Sequence, residues 1–343
     1  MARRMRYVAI AAVVVVAGSG AFFLERANDA TSASAASGTT STSTVSTTTT
    51  TSSSTSTSTT LVGSSTTTTT TTTSPPPKTL TGFYLDMGAS ASLGFQPTGI
   101  LHHNGHRTNT GYANDLLSIE RFQHVSLTLD QIGCPGDTVQ TILNTKANDH
   151  CYKAPNTQLT KAVAYLQANH DEMGVVSLDL GFNNIRLCLS PPEVNEACVD
   201  AAIAAVQVDM PKILKILKGA AGPHVTIVGL EYTDPFLAHY LDGPSGPADA
   251  TATLVAMTRL NAALDQAFTA AHVAVANVPA FFEADDSARV AVPNVGDIPA
   301  NVEEACSLTW MCYKSPFGPD DHPNDAGYSL IAQAIAAVLP KSW

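Results

Sequence analysis

Five short apolar runs constrain the fold of this 343-residue chain more than any other feature: Phe83–Met87, Val125–Leu129, Val175–Leu180, Val225–Leu230 and Val273–Asn277. Most are nearly continuous in Val, Ile and Leu and do not alternate with polar residues. Such runs suit strands covered on both faces, as in a parallel sheet. The segments between them read as helices. Asn156–Asn169 sets Leu159, Val163 and Leu166 on one face, and Asp249–Ala271 carries Leu254, Met257, Leu260, Leu264 and Phe268 at helical spacing. Glu193–Lys218 is long and Ala-rich, with Pro211 expected to break or kink it, and Gly327–Leu339 closes the chain. This alternation predicts the α/β class, as a flavodoxin-like three-layer sandwich around a parallel sheet of about five strands.

The N-terminal part cannot belong to that core. Arg3, Arg4 and Arg6 precede an uncharged, mostly apolar run from Tyr7 to Leu24, followed through residue 30 by a short polar stretch. Residues 1–30 therefore read either as a cleaved secretory signal or as an uncleaved anchor, since roughly 17–25 residues suffice to span a bilayer. From Thr39 to Ser74, 32 of 36 residues are Ser or Thr, which cannot build a core. Residues 31–78 are expected to be a disordered linker, with or without O-glycosylation. The domain is then 79–343, of ordinary size for one α/β unit. An extracellular or cell-envelope location follows, with membrane contact only through the N-terminal segment.

Charge excludes one class of partner. The chain carries −11, while residues 1–78 hold five basic and two acidic side chains, which leaves −14 on the domain. Such a surface repels phosphate backbones, so no nucleic-acid partner is expected. All six cysteines lie in the domain: Cys134, Cys151, Cys188, Cys198, Cys306 and Cys312. An even count behind an export signal argues for disulfides. The sequence-local set, Cys134–Cys151, Cys188–Cys198 and Cys306–Cys312, is favoured because each pair closes a short loop. No Cys-x-x-Cys pair supports zinc.

The loops after the strands carry the chemistry. Strand one ends in Gly88-Ala-Ser-Ala91. Strand two is followed by Cys134-Pro-Gly-Asp-Thr138, strand three by Gly181-Phe-Asn-Asn184, and the last helix is preceded by Asp320-Asp-His-Pro-Asn324. Together they offer a hydroxyl, a glycine amide, a side-chain amide and an imidazole, which is a complete set for acyl transfer. Taken singly, each has a plain reading as a turn or a helix start.

In order and spacing these four segments resemble the four blocks of the SGNH (GDSL-type) hydrolase family, over Phe83 to Leu339. The resemblance implies a flavodoxin-like fold and ester hydrolysis without cofactor or metal. It makes Ser90 the nucleophile and His322 the base. The backbone N–H groups of Ser90 and Gly136, with the Asn183 amide, would form the oxyanion hole; Asn184 is the alternative to Asn183. Two departures stand out. Ala89 and Ala91 replace the first block's Asp and Leu, and Pro319 occupies the place where members often carry the acid that orients the histidine. Asp320 is the best substitute, with Asp321 adjacent, and a backbone carbonyl is the other possibility.

Other features carry less. Asp86 and Asp179 read as structurally paired carboxylates. His102, His103 and His106 are spaced to bind a metal, but a solvated loop is the plainer reading and no metal is expected. Glu231–Leu237 follows strand four and is placed to wall a cleft. No Gly-x-Ser-x-Gly elbow, phosphate loop or dinucleotide fingerprint is present. The expectation is an exported, monomeric serine esterase or lipase acting on a small-molecule, lipid or acylated-glycan ester. A carbohydrate acetylesterase and a non-catalytic wall- or ligand-binding module are the alternatives.

Overall fold

A computed structural model of the chain describes residues 80–98, 105–122, 124–144, 151–189 and 193–341. The N-terminal signal or anchor, the linker, His102 and His103 lie outside the described residues. Five parallel strands form the sheet: β1 (Leu80–Gly88), β2 (Val125–Gln131), β3 (Met173–Asp179), β4 (Val225–Leu230) and β5 (Ala274–Ala276). Their order is β2-β1-β3-β4-β5, the flavodoxin-like arrangement expected from the sequence. The inner strands β1 and β3 are buried along nearly their whole length, which is why they read as unbroken apolar runs.

Side-chain alternation along β1 separates the two helical layers. Phe83, Leu85 and Met87 join Val176 and Leu178 against one layer, made by helices α3 (Gln158–Ala168), α5 (Glu196–Ala220) and α6 (Gly246–Ala270). Tyr84 points to the other face, where α1 (Tyr112–Ser118) and α9 (Asp325–Val338) cover Val175, Val228 and Leu230. Between these lie the short helices α2 (Val139–Leu143), α4 (Phe182–Ile185), α7 (Val278–Phe281) and α8 (Ala300–Leu308).

Two differences from the sequence reading are informative. Helix α5 runs unbroken through Pro211. A mid-helix proline costs about 3 kcal/mol. Here it lies on the exposed side, while Val206, Met210, Ile213, Leu214 and Leu217 on the opposite face are fully buried and offset that cost. The second is an antiparallel hairpin, β6 (Arg289–Val292) with β7 (Gly296–Pro299), that no apolar run announced. Only Val292 and Ile298 are buried from its strands, against Leu237 and Val302, and each strand is only four residues long, too short to stand out.

The three disulfides join Cys134 to Cys151, Cys188 to Cys198 and Cys306 to Cys312, with Cα separations of 6.0, 5.5 and 5.0 Å. The pairing of β1 with β3 is close. A Cβ at Gly82 would come within 2.2 Å of the Met173 carbonyl oxygen, a backbone atom that cannot turn aside. Gly82→Ala should therefore lower stability by about 1–3 kcal/mol, read as a fall in the denaturant midpoint at unchanged m-value. An unchanged midpoint would show that the two inner strands have slack.

Candidate active site

The strand order places a crevice at the carboxyl ends of β1 and β3, with β2 on one side and β4 on the other. Strand β1 ends at Gly88, whose φ of 145° suits glycine. A Cβ there would lie 2.2 Å from the Asp179 carbonyl oxygen, so the turn out of the sheet requires glycine. Ala89 then donates its N–H to that same carbonyl at 3.0 Å, and Ser92 Oγ donates to the Ala89 carbonyl at 2.7 Å. These bonds present Ser90 at the start of a 3-10 turn, Ala91–Leu93.

His322 reaches Ser90 from a loop held at both ends. Trp310 N–H donates to the His322 carbonyl at 3.1 Å and Asp320 N–H donates to the Trp310 carbonyl at 3.2 Å. Asn324 caps α9 through Oδ1, accepting from Ala326 and Gly327, and its Nδ2 donates to the Ser307 carbonyl at 2.7 Å. The Cys306–Cys312 disulfide brackets the Ser307–Trp310 stretch on which this loop rests. The result is a continuous relay. Ser90 Oγ lies 2.7 Å from His322 Nε2, and His322 Nδ1 lies 2.7 Å from Asp320 Oδ1, which also accepts the His322 backbone N–H at 2.9 Å.

Asp320 thus stands where a histidine-orienting acid is needed, with no backbone carbonyl in its place. Asp321 Oδ1 is 3.7 Å from His322 Nδ1, but its Oδ2 is bonded by Arg186 Nε from the turn after α4. The two adjacent acids therefore have different partners. Electrostatics follow the geometry. Burial works against the charged forms of both Asp320 and His322, but their mutual hydrogen bond and charge prevail: Asp320 is held below the usual carboxylate range and the imidazole above its ordinary value.

The remaining donors line the same cavity, about 510 Å³ in volume. Gly136 has φ 80° and open space where a Cβ would stand. Among the described residues, no protein acceptor engages the amide N–H of Ser90 or of Gly136. Asn183 lines the cavity and gives one amide hydrogen to the Asp137 carbonyl at 3.2 Å. Asn184 turns away: its Oδ1 accepts from Val139 N–H and its Nδ2 donates to Gln140. The structure thus brings Ser90, Gly136, Asn183, His322 and Asp320 together.

Asp86 is fully buried beneath the site and accepts from Ser177 Oγ at 2.6 Å and Tyr112 OH at 2.8 Å. Burial pushes its carboxyl up. Asp179, 3% exposed, reaches the cavity wall, which its sequence context did not suggest. Burial raises its carboxyl to about 6, opposed in part by the nearby Tyr232 hydroxyl, the Ser92 and Ala89 N–H groups and the His322 charge, and its Oδ2 has no hydrogen-bond partner among the described residues. Glu231 and Tyr232 line the cavity as their position after β4 implied. Arg186 and Phe95 were missed; the Phe95 ring centroid is 5.5 Å from that of His322. His106 is exposed and pairs through its backbone with Gln96. Among the described residues, the one group of three metal-capable side chains is Asp320, Asp321 and His322, which the relay and Arg186 already engage.

No protein-family model matches this sequence, and no curated protein does. Solved structures match at low identity. The crystal structure of phospholipase A1 from Streptomyces albidoflavus NA297 is 19% identical, over 75% of this chain and 99% of its own, with a TM-score of 0.50. An extracellular lipase from Streptomyces rimosus is 17% identical over 76% and 100%, at 0.49. An acetylxylan esterase from Geobacillus stearothermophilus is 13% identical over 75% and 93%, at 0.43. At this identity the first likeness establishes a shared fold, in agreement with the fold expected of an SGNH hydrolase.

The Asp320–His322 bond has a measurable consequence. A folded imidazole with a raised pKa contributes stability that is fully present below the unfolded value of about 6.5 and is lost as pH rises through the folded value. Asp320→Asn should lower the His322 titration midpoint, followed by NMR of the ring protons, and flatten that part of the stability profile. An unmoved midpoint would remove Asp320 from the relay.

Proposed function

We propose that residues 79–343 form an exported serine ester hydrolase of the SGNH type, and that Ser90, His322 and Asp320 carry the reaction. The observation that carries this reading is the unbroken Ser90–His322–Asp320 chain at 2.7 Å per link. A serine hydroxyl is a weak nucleophile until a positioned base takes its proton. His322 Nε2 does so as Ser90 Oγ attacks the ester carbonyl carbon. Asp320 holds the ring with Nδ1–H toward itself and stabilises the imidazolium that forms. The carbonyl oxygen, now negative, receives hydrogen bonds from the N–H groups of Ser90 and Gly136 and from Asn183. Each such donor is worth roughly 100- to 1,000-fold in rate. Collapse expels the alkoxide, which leaves with the proton from His322. Water then repeats the sequence on the acyl-enzyme, releasing the acid and returning the proton to Ser90.

The cavity supports acyl groups longer than acetyl. Beyond Ser90 it is walled by Phe95, Phe182, Leu230, Val278 and Ile331, and an acetyl group would leave most of its 510 Å³ unfilled. Ala89, Ala91 and Pro319, the residues that weigh toward a non-catalytic module, leave the Ser90–His322–Asp320 hydrogen bonds intact. Three disulfides, the basic-then-apolar start and the Ser/Thr linker support release or tethering outside the cytoplasm. Among the described residues no helix is long and apolar enough to cross a membrane, so the N-terminal segment would be the anchor if one is kept.

A fluorophosphonate probe should label the protein, and Ser90→Ala should abolish both labelling and turnover; labelling that survives that change would refute the assignment. Because catalysis needs neutral His322, kcat/KM should rise with pH through a midpoint above the ordinary imidazole value. On p-nitrophenyl esters, rates should favour medium chains over acetate, and a steep preference for acetate or acetylated sugars would reverse the substrate order.

A further inference from the structure

We infer that Gln158, which belongs to none of the four site segments, is the positioning residue that sets the nucleophile turn against the oxyanion loop. This inference rests on the hydrolase reading above. Gln158 is the first residue of α3, preceded by Thr157, whose reciprocal bonds with Thr160 fix the helix start. Its side chain enters the core and is 1% exposed. There one amide makes three short hydrogen bonds. Oε1 accepts the Gly88 N–H at 2.7 Å, while Nε2 donates to the Gly88 carbonyl at 2.8 Å and to Asp137 Oδ2 at 2.7 Å.

The partners fix the orientation of the amide, since a backbone N–H can only donate and a carbonyl oxygen can only accept. Both partners flank reacting groups. Gly88 lies two residues before Ser90, and Asp137 directly follows Gly136. Asp137, also 1% exposed, accepts from Thr141 Oγ1 at 2.7 Å, and its carbonyl accepts from Asn183. The nucleophile and two oxyanion donors therefore come from three separate strand ends, and Gln158 and Asp137 join them, the Gln158 bonds fully buried and the Asn183 bond partly so.

Gly88 cannot hold this position with a side chain of its own, because the Asp179 carbonyl fills the space where one would begin. The bracing must come from another element, and it must both donate and accept. Leucine or methionine would leave Gly88 N–H, and with it the Asp137 oxygen, without this partner in a buried site. Glutamate would still accept from Gly88 but would face Asp137 acceptor to acceptor. Only an amide of this length satisfies all three groups, and preorganised donors lose effect steeply when displaced.

The test uses the full chain with Gln158→Met, Gln158→Glu and the double variant Gln158→Glu/Asp137→Asn, in which the new amide can donate to the new carboxylate. Near-UV circular dichroism sets the folded fraction, and kcat, KM and inhibition by an alkyl boronic acid are measured per folded molecule. Both single variants should lose about 10- to 100-fold in kcat, with KM little changed and boronate affinity falling in step. The double variant should recover part of the loss suffered by Gln158→Glu. Wild-type kcat in either folded single variant, or loss of stability with kcat per folded molecule intact, overturns the inference. Ser90→Ala is the control: if it is inactive while the Gln158 variants are fully active, only this inference fails, and if it still turns over, the hydrolase reading fails.

Discussion

The close seating of Gly88 against the end of β3 is the contact on which the rest of the site depends. It ends the inner strand β1, turns the chain through a backbone conformation that suits glycine, and leaves Ser90 at the rim of the sheet. The neighbouring strand ends are referred to it. Cys134 N–H bonds the Gly88 carbonyl, Ala89 bonds Asp179, and Gln158 takes both backbone groups of Gly88 at once. The position left without an acid at Ala89 is thus surrounded by bonds from the loop after β2, from β3 and from α3. The turn is held by its neighbours and needs no carboxylate of its own.

A second constraint is the separation of charges around the histidine. Two adjacent aspartates beside one imidazole could compete for it. Arg186 binds Asp321, while Asp320, closer to Nδ1 and also bonded to the backbone of His322, takes the ring. Arg186 lies just beyond the Asn183 turn, so the Asn183 side of the crevice and the His322 side share an ion pair as well as a cavity.

Much of this was legible from sequence because strand ends and turn chemistry are local. The apolar runs marked all five strands of the sheet, and Gly-x-Ser, Pro-Gly, Gly-x-Asn and His-Pro fell on the loops that converge. What escaped depends on through-space packing. Gln158 looks like any polar residue at a helix start, and nothing nearby in sequence says that its amide faces inward. Arg186 is one more basic side chain until the fold brings Asp321, 135 positions away, to its guanidinium. Pro211 does not end its helix for the opposite reason: the local penalty is real, but a long buried face outweighs it. The β6–β7 hairpin has only four residues per strand and two buried side chains, so it left no periodic trace.

The disulfide pattern has a consequence for biogenesis. Every bridge joins cysteines that are consecutive in the chain, with no other cysteine between them. A polypeptide threaded amino-terminus first into an oxidising space would present each cysteine to its proper mate before a competing thiol emerged. In such a space, oxidation in order of emergence would give the native set without reshuffling by an isomerase.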